Sequence, residues 1–154
     1  MLEIDVPGFG HVRVEHLVSD FTDTLSVNGR LLPGVKELLN NVSQVVKLHV
    51  VTADTFGTAQ GALAGVDCAM TILSGEAMDV QKEEYVRGLG ADHVMAIGNG
   101  NSDRKMLAAA RIGIAVIEGE GCLVNAVLNA EIVVRSIHDA LGFLLDPQRL
   151  KATL

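Results

Sequence analysis

Apolar and polar residues recur with two periods along this chain, and the order of those periods predicts its elements. Leu2-Glu3-Ile4-Asp5-Val6 and Val12-Arg13-Val14-Glu15-His16 alternate with period two on either side of the turn-rich Pro7-Gly8-Phe9-Gly10, which predicts a β-hairpin over residues 1–16. His16 to Ser19 then feed a buried strand that ends at Asp20. Asn28-Gly29 marks a turn, Pro33 is placed to open a helix, and Val35, Leu38, Leu39 and Val42 follow at helical spacing. A second apolar strand spans 45–51, and a helix-like run spans 58–64. A short strand near 69–73, a helix near 79–89, a strand at 93–97 and a helix at 104–111 come next. Strands at 112–117 and 131–134 flank a helical stretch at 122–128. Ser136 with Asp139 three residues on resembles a capping box, opening a last helix that runs through Leu145 to the break at Asp146-Pro147. A hairpin followed by repeated β-α units predicts an α/β fold, a doubly wound, mainly parallel, Rossmann-like sheet with helices on both faces.

Composition narrows this picture. The 154 residues suit one domain, 1–154, with a core large enough to need no disulfide or structural metal. Aromatics are 3% and Trp is absent, so the core is expected to be aliphatic, as in strands covered on both faces. A net charge of −7 argues against nucleic-acid and anionic-membrane partners, and an anionic substrate would need a local cation. Cys68 and Cys122 belong to no Cys-x-x-Cys or Cys/His cluster and read as reduced apolar fillers. No apolar run reaches membrane-spanning length, and acidic residues rather than basic ones follow Met1, so a soluble, cytoplasmic protein is expected. The five histidines show no metal-ligand spacing on any one element.

Four positions carry candidate chemistry. Asp20 stands where open α/β sheets bind ligands, beyond the carboxyl end of a strand; it either caps a turn or is paired, hydrogen-bonded or holding a metal. Thr52, with Ala53 and Asp54, ends the second strand before a helix, an arrangement that suits either phosphate binding or an ordinary N-cap. Lys82 lies among acidic neighbours on a helix, where a lysine is commonly solvated. Gly98-Asn99-Gly100-Asn101-Ser102-Asp103 ends the fourth strand, as a capping turn or as a loop whose backbone approaches a ligand.

Taken in order, these four resemble the motifs of the haloacid dehalogenase (HAD) superfamily. Within it the chain looks most like the phosphorylation domain of P-type ATPases, whose motifs run Asp-Lys-Thr-Gly-Thr-Leu-Thr, Thr-Gly-Asp, Lys and Gly-Asp-Gly-x-Asn-Asp. Here they read Asp20-Phe21-Thr22-Asp23-Thr24-Leu25-Ser26, Thr52-Ala53-Asp54, Lys82, and Gly98-Asn99-Gly100-Asn101-Ser102-Asp103, and the match covers most of residues 17 to 135. The resemblance implies a Mg²⁺-dependent phosphatase or phosphotransferase in which Asp20 attacks phosphorus to form an aspartyl phosphate. It implies Mg²⁺ held by Asp20, the Thr22 carbonyl, Asn99 and Asp103, and phosphoryl oxygens of a small phosphorylated substrate held by Thr52, Ala53 and Lys82. Asp54 is placed to pair with Lys82.

The departures from those motifs are as informative. Thr22 stands where the superfamily's phosphatases carry an acid/base Asp, Asp23 replaces Gly, and Asn99 replaces an Asp of the metal loop. They imply slow dephosphorylation and weakened Mg²⁺ binding, with Asp23 either supplying a carboxylate or acting structurally. They also motivate an alternative, a non-catalytic or regulatory module that binds phosphate and Mg²⁺. Residues 26–51 are too few for the nucleotide-binding domain of an ion pump, and residues 53–81 leave no room for a cap domain, so an open site is expected. The hairpin edge is open either to solvent or to self-association into a homo-oligomer.

Overall fold

Strands that must be buried on both faces need apolar residues at successive positions, and three segments of this chain supply them, with His49 as the one polar exception. Leu17-Val18, Leu48 to Val51 and Val94 to Ile97 are buried throughout and form the centre of a parallel sheet. The computed structural model describes residues 1–154. Its strands are β1 (Leu2–Val6), β2 (Gly10–Val14), β3 (His16–Ser19), β4 (Ser26–Val27), β5 (Arg30–Leu31), β6 (Lys47–Thr52), β7 (Ala69–Ile72), β8 (Val94–Gly98), β9 (Ile112–Val116) and β10 (Ile132–Val134). Its helices are α1 (Val35–Val42), α2 (Ala59–Ala62), α3 (Met78–Gly88), α4 (Arg104–Ala109), α5 (Val124–Leu128), α6 (Ile137–Leu145) and α7 (Pro147–Thr153).

The main sheet has the order β10-β9-β8-β3-β6-β7, and every pairing in it is parallel. Side chains alternate across it. Leu17, Leu48, Val50, Met95 and Ile97 face a core shared with α1, α2, α6, α7 and the hairpin. Val18, Val51, Val94 and Ala96 face a second core with Val86 of α3, Met106 and Leu107 of α4 and Ala126 of α5. The chain leaves β3 first toward β6 and β7, and later returns on its other side as β8, β9 and β10. The strand order therefore reverses between β3 and β8, the place where sheets of this kind open a crevice at their carboxyl ends.

The hairpin β1–β2 lies at the opposite, amino end of the sheet. Leu2, Val6, Val12 and Val14 are buried in the first core, the Met1 ammonium donates to the Val45 carbonyl, and Arg111, just ahead of β9, donates to the carbonyls of Phe9 and His11. Its apolar face is thus spent within its own chain, on the side away from the crevice.

One local expectation is extended and one is corrected. The Asn28-Gly29 turn closes a small hairpin of its own, β4–β5, because both residues take positive φ (52° and 77°), the conformation a two-residue hairpin loop demands. The chain does not end its helices at Asp146-Pro147. Asp146 accepts the Gln148 N–H at 3.2 Å, Pro147 occupies the first helical position where its missing N–H costs nothing, and α7 follows with Leu150 buried. Two further elements are shorter than their patterns suggest. The helix-like run 58–64 contracts to the four residues of α2, with Gly57 and Gly65 at positive φ on either side, and α5 starts only at Val124. No helix is long and apolar enough to cross a membrane.

Candidate active site

The carboxyl ends of β3, β6 and β8 open into a cavity of about 230 Å³ lined by Asp20, Thr22, Asp23, Thr52, Ala53 and Lys82 and, from the loop after β8, by Asn99 and Asp103. All seven site residues expected from the sequence are thus brought to one cavity.

Asp20 continues the β3 ladder for one residue, its N–H donating to Ile97 O at 3.1 Å, and then the backbone turns sharply. The turn is wound around one carbonyl: the N–H groups of Thr24, Leu25 and Ser26 and the Ser26 hydroxyl all donate to Phe21 O. Phe21 and Leu25 anchor it in the core with no exposed surface. The placing of Phe21 and Leu25 among small polar residues after Asp20 therefore has a local cause. Apolar side chains hold the loop down while Thr22, half-buried, stays on the cavity wall.

Lys82 projects from α3 into the space between the two carboxylates. Its Nζ donates to Asp20 Oδ1 at 3.0 Å, to Asp103 Oδ1 at 2.7 Å and to Ser102 Oγ at 3.2 Å, and the residue is 2% exposed. The reading of Lys82 as a solvated helix lysine fails for that reason. Burial alone would lower its pKa, but the charges of Asp103 and Asp20 outweigh it and push the ammonium up to about 12. Asp20 is pushed the other way for an acid. Burial, followed by the Asp103 charge, raises it to about 7 against the opposing pull of Lys82. One cation between two buried carboxylates leaves the group net negative, and Lys82 is the one cationic side chain on the cavity wall.

Asp103 is fully buried, and its carboxylate is also the keystone of its own loop. Oδ2 accepts the N–H groups of Asn99 and Gly100 at 2.9 and 3.0 Å. Thr52, at the end of β6, accepts the Asp54 N–H at 3.0 Å, which leaves the Thr52 hydroxyl proton free to be donated into the cavity. Asp54 does not pair with Lys82. Its Oδ1 accepts the N–H groups of Thr58 and Ala59, both at 3.0 Å, so it caps the turn into α2.

Sequence reasoning gave no role to Thr24 or Glu120, and it left Asp23 as either a carboxylate source or a structural residue. Asp23 is 3% exposed at φ 56°, and its Oδ2 accepts from Asn99 Nδ2 at 3.2 Å and from Glu120 N–H at 3.0 Å. Burial raises its pKa, which the Glu120 N–H opposes and the nearby Glu120 and Glu118 charges reinforce. Thr24 donates to Asn99 Oδ1 at 3.2 Å. An acidic residue at a glycine position signalled Asp23; nothing local signalled Glu120, which arrives from the loop after β9.

The donors on the wall suit a hard divalent cation. No three His, Cys, Asp or Glu side chains converge into a ready-made cation cage, and the available ligands are carboxylate oxygens of Asp20 and Asp103 with the neutral oxygens of Asn99 and Thr22. One or two carboxylates with neutral oxygens, no nitrogen or sulfur, and net negative charge is the donor chemistry of Mg²⁺, which keeps much of its water.

No family model matches the chain. It is 50% identical over 60 residues, 39% of its length, to an uncharacterized protein of Methanocaldococcus jannaschii. It is 33% identical over 113 residues, 70% of its length, to an Arabidopsis thaliana protein named probable copper-transporting ATPase. The chain spans 64% of the first relative and 11% of the second. Among solved structures, it superposes with a TM-score of 0.72 at 14% identity on 3-deoxy-D-manno-octulosonate 8-phosphate phosphatase from Moraxella catarrhalis, a complex with magnesium and phosphate ions and KDO, covering 90% of each chain. A HAD family hydrolase from Streptomyces avermitilis gives 0.71 at 12% identity, covering 88% of this chain and 87% of that one. A zinc-transporting PIB-type ATPase gives 0.64 at 21% identity, covering 80% of this chain and 20% of that one.

Proposed function

We propose that this chain, which has the HAD-like fold, is a Mg²⁺-dependent phosphoric monoester hydrolase or phosphotransferase that works through an aspartyl phosphate on Asp20. The observation that carries this reading is the position of Lys82 Nζ, within 3.0 Å of both Asp20 and Asp103 at the crevice where the strand order reverses. The likeness to a magnesium- and phosphate-bound phosphatase of the same fold supports it.

Mg²⁺ held by the side chains of Asp20, Asn99 and Asp103 and the Thr22 carbonyl would supply charge neutralisation and orientation for the phosphoryl group. An Asp20 oxygen attacks phosphorus, the bond from phosphorus to the leaving oxygen breaks, and that oxygen takes a proton from water. Water then attacks the aspartyl phosphate, releasing phosphate and the Asp20 carboxylate. Lys82 favours the ionised form of Asp20 against burial and the Asp103 charge and, with the Thr52 hydroxyl and the Ala53 backbone beside it, holds the equatorial oxygens as charge develops. Thr22 is neither acid nor base at neutral pH, Asp23 Oδ2 is held by Asn99 and Glu120, and Asp23 Oδ1 faces Gly119. Both protons therefore come from or go to solvent, and the second step is slow.

Hydrolysis of a generic aryl phosphate with Mg²⁺ tests this. Asp20→Asn should abolish turnover, and activity that survives the substitution sinks the mechanism. The lack of a carboxylate two residues beyond Asp20, where Thr22 stands, also favours a second reading, a module that binds phosphate and Mg²⁺ without turning over. Beryllium fluoride trapped on Asp20 with no turnover across a panel of small phosphate esters would select it.

A further inference from the structure

We propose that Asp23 is a positioning residue for Asn99, fixing which end of its side-chain amide meets the cation; the inference rests on the Mg²⁺-dependent reading above. Asp23 is costly where it stands. Its φ of 56° lies in the left-handed region that favours glycine, and its buried Oδ1 has no hydrogen-bond partner. A glycine would serve the turn better. The carboxylate therefore needs an explanation outside the stability of the loop.

The two ends of an asparagine amide are nearly equal in size and opposite in chemistry, so only neighbours decide which one faces a ligand. The two groups that touch the Asn99 side chain do not have equal authority. The Thr24 hydroxyl, 3.2 Å from Oδ1, donates or accepts and so tolerates either orientation. The Asp23 carboxylate only accepts. At 3.2 Å from Nδ2 it requires the NH₂ on its own side, and the carbonyl oxygen keeps a second lone pair for a cation. Asp23 is itself held by the Glu120 N–H at 3.0 Å, and its unpartnered Oδ1 faces Gly119, where an added methyl would lie 3.5 Å away. It therefore acts through Asn99 and not on phosphorus. Its negative charge, one hydrogen bond behind a neutral oxygen, polarises the amide toward a cation. The two departures at positions 23 and 99 thus become one coupled change, in which the carboxylate has moved back from the metal loop and an amide relays its field.

A double-mutant cycle on the full chain tests this, with Mg²⁺ affinity read by calorimetry and the metal-free melting temperature read alongside. Asp23→Gly suits the backbone and should weaken Mg²⁺ binding about 10- to 100-fold, the range typical of residues that orient a metal ligand. Asn99→Asp alone brings two buried carboxylates together and should lower the metal-free melting temperature. The double substitution returns a single carboxylate to position 99 and should restore Mg²⁺ affinity to near the wild-type value. Additive losses in the double variant, in a wild type that binds Mg²⁺, overturn the positioning role and leave the phosphatase reading standing. A wild type that binds no Mg²⁺ overturns both. Should Asp23→Gly not fold, Asp23→Asn keeps the shape and removes the charge, and unchanged Mg²⁺ affinity in that variant also overturns the proposal.

Discussion

The side chain of Asp103 lies against the bare backbone of Gly98, so that a methyl group on Gly98 would sit 2.5 Å from both Cβ and Cγ of Asp103. Gly98 ends β8 without a positive φ, so a close approach and not backbone freedom requires it. Gly98→Ala should push Asp103 off Lys82 and off the Asn99 and Gly100 amides. We expect a loss of about 1–3 kcal/mol in urea denaturation and about 100-fold in phosphatase activity. A stable, active variant would show that the contact is dispensable.

Lys82 is the one cation paired with two carboxylates that are buried with it. Lys82→Met keeps its length and removes its charge, leaving Asp20 and Asp103 unpaired. The metal-free protein should lose about 3–5 kcal/mol, and Mg²⁺ should return part of that loss because a cation again lies between the carboxylates. Urea titrations with and without Mg²⁺ measure both. Equal stability in the two conditions would mean that no cation binds there.

How much of this was legible beforehand depends on the range of each interaction. Local apolar periods placed Asp20, Thr52, Lys82 and Asp103 after strands or on a helix, and it was the resemblance of their order to the HAD motifs that made them a set. The β4–β5 hairpin was half visible in Asn28-Gly29, and α7 was hidden because Asp146-Pro147 stops one helix and starts another with the same two residues. The buried surroundings of Lys82 could not be read from its acidic neighbours in sequence. Its partners Asp20 and Asp103 lie 62 and 21 residues away, and only the closing of the sheet brings them in. The pairing of Lys82 with Asp54 failed for a local reason, since the amides of Thr58 and Ala59 already claim the Asp54 carboxylate.

Thr22 lines the cavity at a position two residues beyond Asp20. Thr22→Asp introduces a carboxylate that can pass a proton to the leaving oxygen and take one from attacking water. Turnover of an aryl phosphate should rise by about 10²- to 10⁴-fold, and the phosphoenzyme should become shorter-lived in single-turnover measurements. An unchanged rate would place the slow step elsewhere.

A hydrogen-bonded chain away from the cavity predicts a pH effect on stability. His16 Nδ1 lies 3.0 Å from His49 Nε2, and His49 Nδ1 lies 2.9 Å from the Tyr85 hydroxyl. Burial, with Lys47 nearby, holds both histidines below their ordinary value of 6.5. The unfolded chain therefore takes up protons near pH 6.5 that the native protein refuses, so stability is full above that pH and falls as pH drops below it. His49→Gln, which cannot be protonated, should flatten that decline relative to wild type. His11, whose pKa is raised by Asp5 and Glu3, acts in the opposite sense in both proteins and cancels in the comparison.

Strand β3 sits at the centre of the sheet, yet its two neighbours are distant in sequence, with His16 opposite Lys47 on one side and Val94 on the other. Such non-local pairings carry a large loop-closure cost and form slowly. A chain folded only through β6 owns Asp20 and Thr22 but has neither Asn99 nor Asp103 in place, and so only half of the proposed cation ligands. During refolding, acquisition of Mg²⁺ affinity should therefore lag behind helix formation and coincide with the docking of β8, which makes the ion a reporter of topological completion.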